Sequence, residues 1–270
     1  MTTALHTTQV GGDTEGRSDD ESAGGARIVF VHGLFGQGRN FTQIAKSLLP
    51  EATSLLLDLP DHGRSPWTEQ VSYEGMADAV ADTIRAWSSE PVELVGHSMG
   101  GKVAMLVALR HPELVDRLVV VDIAPDDSDG AGEFEHLLGS LAAVDLATIE
   151  RRSDADEQLR GPIPNDTVRG FLLQNLRSTE HGYTWQANLD LLRRDLPVIA
   201  GFPHVDTTFD HPVLWVAGER SDYVRDDHQA EMRRLFPATR LVTIKGAGHW
   251  VHSEQPAAFV SALRVFLALR

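Results

Sequence analysis

Six short apolar runs punctuate the chain: residues 26–31 (ARIVFV), 53–58 (TSLLLD), 92–95 (VELV), 117–122 (RLVVVD), 212–217 (PVLWVA) and 239–244 (TRLVTI). Each is too short for a helix, and none shows the strict alternation of a strand with one wet face. Runs of this kind read as strands buried on both faces, as in a parallel sheet covered by helices. Between them the spacing turns helical. Phe41, Ile44, Ala45, Leu48 and Leu49 recur at helical intervals within 39–49. Further helices are predicted over 73–87, through Met105 to Arg110 as far as the His111-Pro112 stop, through Met232 and Phe236, and over 257–269. Alternation of this sort implies an α/β fold with a mainly parallel, doubly wound sheet flanked by helices.

The rhythm breaks between Ala124 and about Asp210. No strand-like run of comparable quality is visible there, and residues 134–149, 167–176 and 185–192 read as helices separated by proline, glycine and charged turns. The predicted organisation is therefore a core of residues 26–124 and 211–270, with 125–210 inserted as a helical cap. Such a cap would sit over the carboxyl ends of the strands, where folds of this kind bind ligands. Ahead of the core, residues 2–10 read as either a weak edge strand or part of a disordered tail. The acidic, glycine-rich stretch 11–25 (GGDTEGRSDDESAGG) reads as a mobile loop.

One turn in this frame carries chemistry. Residues 92–101 (VELVGHSMGG) pass from a strand through Ser98 into a helix, the G-x-S-x-G nucleophile elbow. The turn strains the serine backbone and needs Gly96 and Gly100 to lack side chains, so that strand and helix can approach. A serine hydroxyl is a poor nucleophile until a base takes its proton, and histidine suits that role near neutral pH. His249 is the candidate base, since it lies in a G-A-G-H-W loop after the last strand, on the rim that carries Ser98. His252 is its rival, but the helix beginning near Glu254 makes it more a surface or helix-cap residue. The two could be mistaken for a metal pair, but no third ligand accompanies them, so no metal is expected. Donors for a developing oxyanion are expected from the amide of Met99 and from the loop His32-Gly33-Leu34-Phe35-Gly36, with Leu34 the natural donor.

The acid that would orient the imidazole has two candidates. Asp122 ends the strand after the elbow helix and sits on the rim. Asp222 lies beyond the strand at 212–217, set off from it by Gly218-Glu219-Arg220-Ser221. Asp122 is preferred, with Asp222 the alternative. Asp58 and His62 are expected to tie their loop together rather than react, and Arg39 and Arg64 to be solvated. Phe35, Trp67, Trp185, Phe202 and Trp250 are candidates either for an apolar acyl pocket or for ordinary core.

Composition narrows the choice of partner. A formal net charge of −15 disfavours sequence-independent binding to nucleic acid or to an anionic membrane. The absence of cysteine excludes disulfides, thiolate metal sites and a cysteine nucleophile. No apolar run approaches the length of a membrane span, and residues 1–10 show no signal-peptide pattern, so a cytoplasmic protein is expected.

Four motifs stand in a familiar order: Val31-His32-Gly33-Leu34-Phe35-Gly36, Asp58-Leu59-Pro60-Asp61-His62-Gly63-Arg64-Ser65, Gly96-His97-Ser98-Met99-Gly100-Gly101 and Gly246-Ala247-Gly248-His249-Trp250. They resemble the α/β-hydrolase superfamily, and within it the small esterase/thioesterase group with an HGLFG loop and a strand ending V-V-D-I-A-P. Residues 171–176, and Trp185 with Asn188-Leu189, resemble that group's cap. The resemblance implies Ser–acid–His hydrolysis of a small acyl ester or thioester without metal or organic cofactor, and use of the earlier aspartate, Asp122. Acyl transfer or perhydrolysis on the same residues is the alternative. A carbon–carbon bond hydrolase or a non-catalytic binding protein is a weaker one. Fold likeness alone does not fix a substrate.

Overall fold

The computed structural model describes residues 4–12, 25–126 and 131–269. Its strands are β1 (Thr7–Val10), β2 (Ala26–Val31), β3 (Ala52–Leu57), β4 (Val92–His97), β5 (Val115–Val121), β6 (Leu176–Thr179), β7 (Gly182–Trp185), β8 (Val213–Gly218) and β9 (Thr239–Ile244). The α-helices are α1 (Thr42–Ser47), α2 (Tyr73–Trp87), α3 (Met99–Arg110), α4 (Ala131–Ala142), α5 (Arg152–Leu159), α6 (Asp166–Leu172), α7 (Leu189–Arg194), α8 (Leu196–Ala200), α9 (Gln229–Leu235), α10 (Val251–Glu254) and α11 (Pro256–Phe266).

Seven strands form one sheet in the order β1-β3-β2-β4-β5-β8-β9. All neighbours are parallel except β1, which pairs antiparallel with β3 at the edge. Alternate residues of each central strand feed two separate cores. Val29, Val31, Leu94, Leu118 and Val120 pack with α2 and α3, whereas Ile28, Phe30, Val95, Val119 and Val121 pack with α1 and α11. Both faces are dry, which is why these strands lack a polar alternation. Every residue of α3 from Met99 to Leu109 is buried, so the helix behind the elbow lies deep in the molecule.

The chain between β5 and β8 departs from the sequence reading. It holds five α-helices and a β6–β7 hairpin rather than three helices. The hairpin turns through Glu180 and His181 into Gly182, whose φ of +111° suits glycine, and it pairs Ser178 with Tyr183 and Leu176 with Trp185. Trp185 thus closes a strand instead of opening a helix. The helix beyond it starts only at Leu189, where the Asn188 side chain accepts from the Leu191 N–H. α5 carries just two buried residues, Ala155 and Leu159, in a polar sequence, so its periodicity is faint. Leu137, Leu138, Leu141, Leu172, Leu192, Leu196 and Ile199 of this block join the same apolar core as α2 and α3. Of the stretch read as a mobile loop, residues 13–24 lie outside the described residues. No helix among the described residues is long and apolar enough to cross a membrane.

Candidate active site

Ser98 sits between β4 and α3 with φ 53° and ψ −125°, a conformation that side chains rarely adopt. Its N–H donates to the Val121 carbonyl at 3.0 Å, so the sheet ladder still holds the residue as the chain turns. The glycines are sterically required. A β-carbon at Gly96 would lie 2.3 Å from the Gly100 carbonyl oxygen, and one at Gly100 would lie 2.2 Å from that of His32.

Asp122 follows β5, fully buried, with φ 52°. Three donors meet its carboxylate: the Gly218 N–H at 2.9 Å, the Ser221 hydroxyl, and Nδ1 of His249 at 2.9 Å. This many donors is what a buried carboxylate needs. The other ring nitrogen of His249, Nε2, lies 3.0 Å from Ser98 Oγ. A carboxylate can only accept, so Nδ1 carries the proton and Nε2 is free to accept from the serine hydroxyl. Asp222, by contrast, is exposed, and no hydrogen bond among the described residues joins it to His249. Ser221, the residue before Asp222, donates its hydroxyl to Asp122.

Buried histidines support this arrangement. His97 Nε2 lies 2.9 Å from the His249 carbonyl and donates to it, fixing the loop that carries the imidazole. Burial, with His252 and His249 adding repulsion, holds His97 well below the ordinary histidine range. His252 corrects an expectation, because it is not on the surface. It lies buried in α10, its ring 4.6 Å from Phe41 and 4.7 Å from His97, and burial with His249 nearby lowers its pKa to about 3. His32 is also neutral, lowered to about 3 by burial and then by His62. Its Nδ1 donates to the Gly33 carbonyl at 2.8 Å and its Nε2 accepts from Leu59 N–H at 2.9 Å, which braces the glycine loop.

That loop lies against Ser98, since a β-carbon at Gly33 would come within 3.0 Å of its Cβ. Among the described residues, neither the Leu34 amide nor the Met99 amide donates to another residue. Asp58 ties its own loop, accepting from Gly38 N–H at 2.7 Å and Arg64 N–H at 2.9 Å, and His62 is buried against Pro60. The side chains of Arg39 and Arg64 are exposed.

A cavity of about 20 Å³, enough for a single water, opens at Ser98. Leu34, Met99, Ile123, Phe134, Leu196, Ile199, Ala200, Tyr223 and Lys102 complete its lining. None of the five aromatic candidates lines it. Phe35 is core, packed 6.4 Å from Phe134, and Trp185 is half-buried in β7. Trp67 is 58% exposed, and Phe202 is half-buried against the core. Trp250 stands 5.5 Å from the His249 ring but faces a separate cleft of about 900 Å³ with Phe171. The aromatic walls are Phe134 on α4 and Tyr223, whose ring lies 4.2 Å from His249. Burial, with Glu133 and Asp122 nearby, pushes the Tyr223 phenol up to about 12, so it stays protonated. Helical spacing alone does not single out Phe134 on α4, and Tyr223 reaches the serine from the loop after β8.

Residues 26–256 match the family described as alpha/beta hydrolase fold. The chain belongs to the α/β-hydrolase family. It is 39% identical to the mouse sn-1-specific diacylglycerol lipase ABHD11 over 89% of this chain and 80% of that protein. Identity to the esterase YbfF of Escherichia coli is 33%, over 89% of this chain and 92% of that one. A solved structure of a marine microorganism esterase superposes with a TM-score of 0.90 at 33% identity, covering 98% of this chain and 99% of that one. This α/β-hydrolase therefore groups with esterases and lipases, hydrolases of ester bonds.

Proposed function

We propose that the protein hydrolyses carboxylic esters or acyl-thioesters of small to medium acyl groups through an acyl-enzyme on Ser98. The observation that carries this reading is the His249 ring, with Nε2 3.0 Å from Ser98 Oγ and Nδ1 2.9 Å from Asp122 Oδ2. In the first half-reaction Ser98 Oγ attacks the acyl carbon while its proton passes to His249 Nε2. The imidazolium is held against the Asp122 carboxylate, and the oxyanion takes the Leu34 and Met99 N–H groups. The proton then moves from Nε2 to the departing oxygen or sulfur as the acyl–O or acyl–S bond breaks, and the alcohol or thiol leaves. Water enters, His249 takes one of its protons, and the acid is released as Ser98 regains its hydrogen. The block of residues 131–200 caps this site, with Phe134, Leu196 and Ile199 facing the acyl group.

The identities to an esterase and a diacylglycerol lipase support an ester substrate. The narrow cavity supports a short acyl chain. The test is turnover of p-nitrophenyl acetate and butyrate by the wild type and by Ser98→Ala. Loss of turnover in a folded variant is expected, and turnover retained by Ser98→Ala would refute the mechanism.

A further inference from the structure

Lys102 stands one turn beyond Ser98 on α3, in a helix otherwise apolar from Met99 to Leu109, and only 1% of it is exposed. Lysine is almost never buried this fully unless its ammonium is satisfied. Here Nζ donates to the carbonyl oxygens of Asp126, Ala200 and Gly201 at distances between 2.5 and 3.0 Å. Asp126 lies just after β5, where the inserted block begins, and Ala200 and Gly201 lie at the end of α8, near where it finishes. One ammonium on the nucleophile's own helix thus binds both ends of the block.

α8 also forms a wall of the cavity at Ser98, through Leu196, Ile199 and Ala200. A further carbonyl at this end is clasped as well, because the buried Tyr73 hydroxyl on α2 donates to the Ile199 oxygen at 2.7 Å. The carbonyls of Ile199 and Ala200 at the end of α8, and of Gly201 that follows, are therefore held from below by side chains of the core. Helix ends leave such carbonyls without partners inside the helix, so these donors set where the wall stands.

We propose that Lys102, assisted by Tyr73, is a specificity-determining positioning residue that sets the depth of the acyl cavity by pinning α8 to the nucleophile helix. This rests on the hydrolase reading above, with the acyl group lying against α8. With the clamp intact the wall stays close to Ser98 and the cavity stays near one water in size. Without it, α8 is free to move away from α3 and longer acyl chains gain room.

The test is the ratio of kcat/KM for p-nitrophenyl octanoate to that for p-nitrophenyl acetate. It is measured in wild type, Lys102→Met, Lys102→Arg and Tyr73→Phe, with the melting temperature of each. Lys102→Met keeps the stem and loses the donors, and the ratio is expected to rise about tenfold, what one methylene of apolar pocket is worth. Lys102→Arg restores a charged donor and returns the ratio towards wild type. Tyr73→Phe removes a single hydroxyl and moves the ratio the same way by a smaller factor, which keeps the test usable if Lys102→Met does not fold. A ratio unchanged in the folded variants, whatever their melting temperatures, overturns the proposal and leaves Lys102 as a purely structural brace. Wild-type protein inactive on both esters would instead overturn the hydrolase reading itself.

Discussion

Around the mouths of β4, β5 and β8, the candidate catalytic side chains are aimed by the backbone. Ser98 and Asp122 both have positive φ, each has its N–H in a sheet ladder, and Gly96 and Gly100 permit contacts no larger residue allows. In the inserted block the means are different. Its helices are short, and their ends are fastened by side chains: Lys102 and Tyr73 on α8, Asp195 on the Val71 N–H, and Asn175 on the Phe35 carbonyl. A ladder of main-chain bonds resists displacement cooperatively, whereas a few side-chain clasps can be released one at a time. The rim therefore suits the part of a reaction that does not vary between substrates, and the block suits the part that does.

If the rim works as a unit, damage to it should be severe and indifferent to acyl length. Asp122→Asn leaves the fold but lets Nδ1 of His249 lose its fixed proton, and kcat should fall by about 10⁴-fold on every ester. Asp222→Asn should stay within about twofold, as expected of an exposed group that makes no contact with the imidazole. Steady-state kinetics on the pair separates them, and comparable losses would place the acid wrongly.

Gly100→Ala tests the backbone itself. Its β-carbon would lie 2.2 Å from the His32 carbonyl oxygen and 2.5 Å from that of Val31, neither of which can swing aside. Chemical denaturation should show a loss of about 3 kcal/mol. Ser221→Ala should be milder, because Asp122 keeps Gly218 and His249 as partners. Loss of one hydrogen bond to a charged group predicts about 2 kcal/mol, read as a fall in kcat of some tens of fold.

A further effect concerns pH. His32, His62, His97 and His252 are all held below the ordinary histidine pKa by burial, His32 and His252 at about 3. Below the unperturbed value of about 6.5 the unfolded chain takes up protons that the folded chain refuses, so stability falls as pH drops from there towards 3. His252→Phe keeps a ring beside Phe41 and should flatten that fall by up to about 1.4 kcal/mol per pH unit. Denaturation midpoints across pH 4–7 would check the slope, and an unchanged slope would mean that His252 titrates normally.

The same contrast governs what could be read from the sequence. Strands of the sheet announce themselves because both faces are buried, as in the Leu118–Val121 run, and the elbow announces itself because only glycine fits at 96 and 100. Asp122 and His249 could be placed on one rim because each directly follows a recognisable strand. The block was legible only in part. α5 buries two residues, α8 is a single turn and a half, and the β6–β7 hairpin gains its register from the short Glu180-His181 turn rather than from a long apolar run. Phe134 and Tyr223 reach the cavity through tertiary packing that no periodicity encodes. His252 was misjudged because one short helix turns it inward. Lys102 did leave a trace, a lone cation in an apolar helix, but its three carbonyl partners are scattered along the chain.

The most direct measurement is intact-protein mass spectrometry with peptide mapping after exposure to a fluorophosphonate. A single adduct on the peptide carrying Ser98 is expected, absent in Ser98→Ala and formed far more slowly in Asp122→Asn. Ester turnover that persists with Ser98 unmodified, or an adduct carried by another residue, would contradict the assignment of the nucleophile and with it the mechanism.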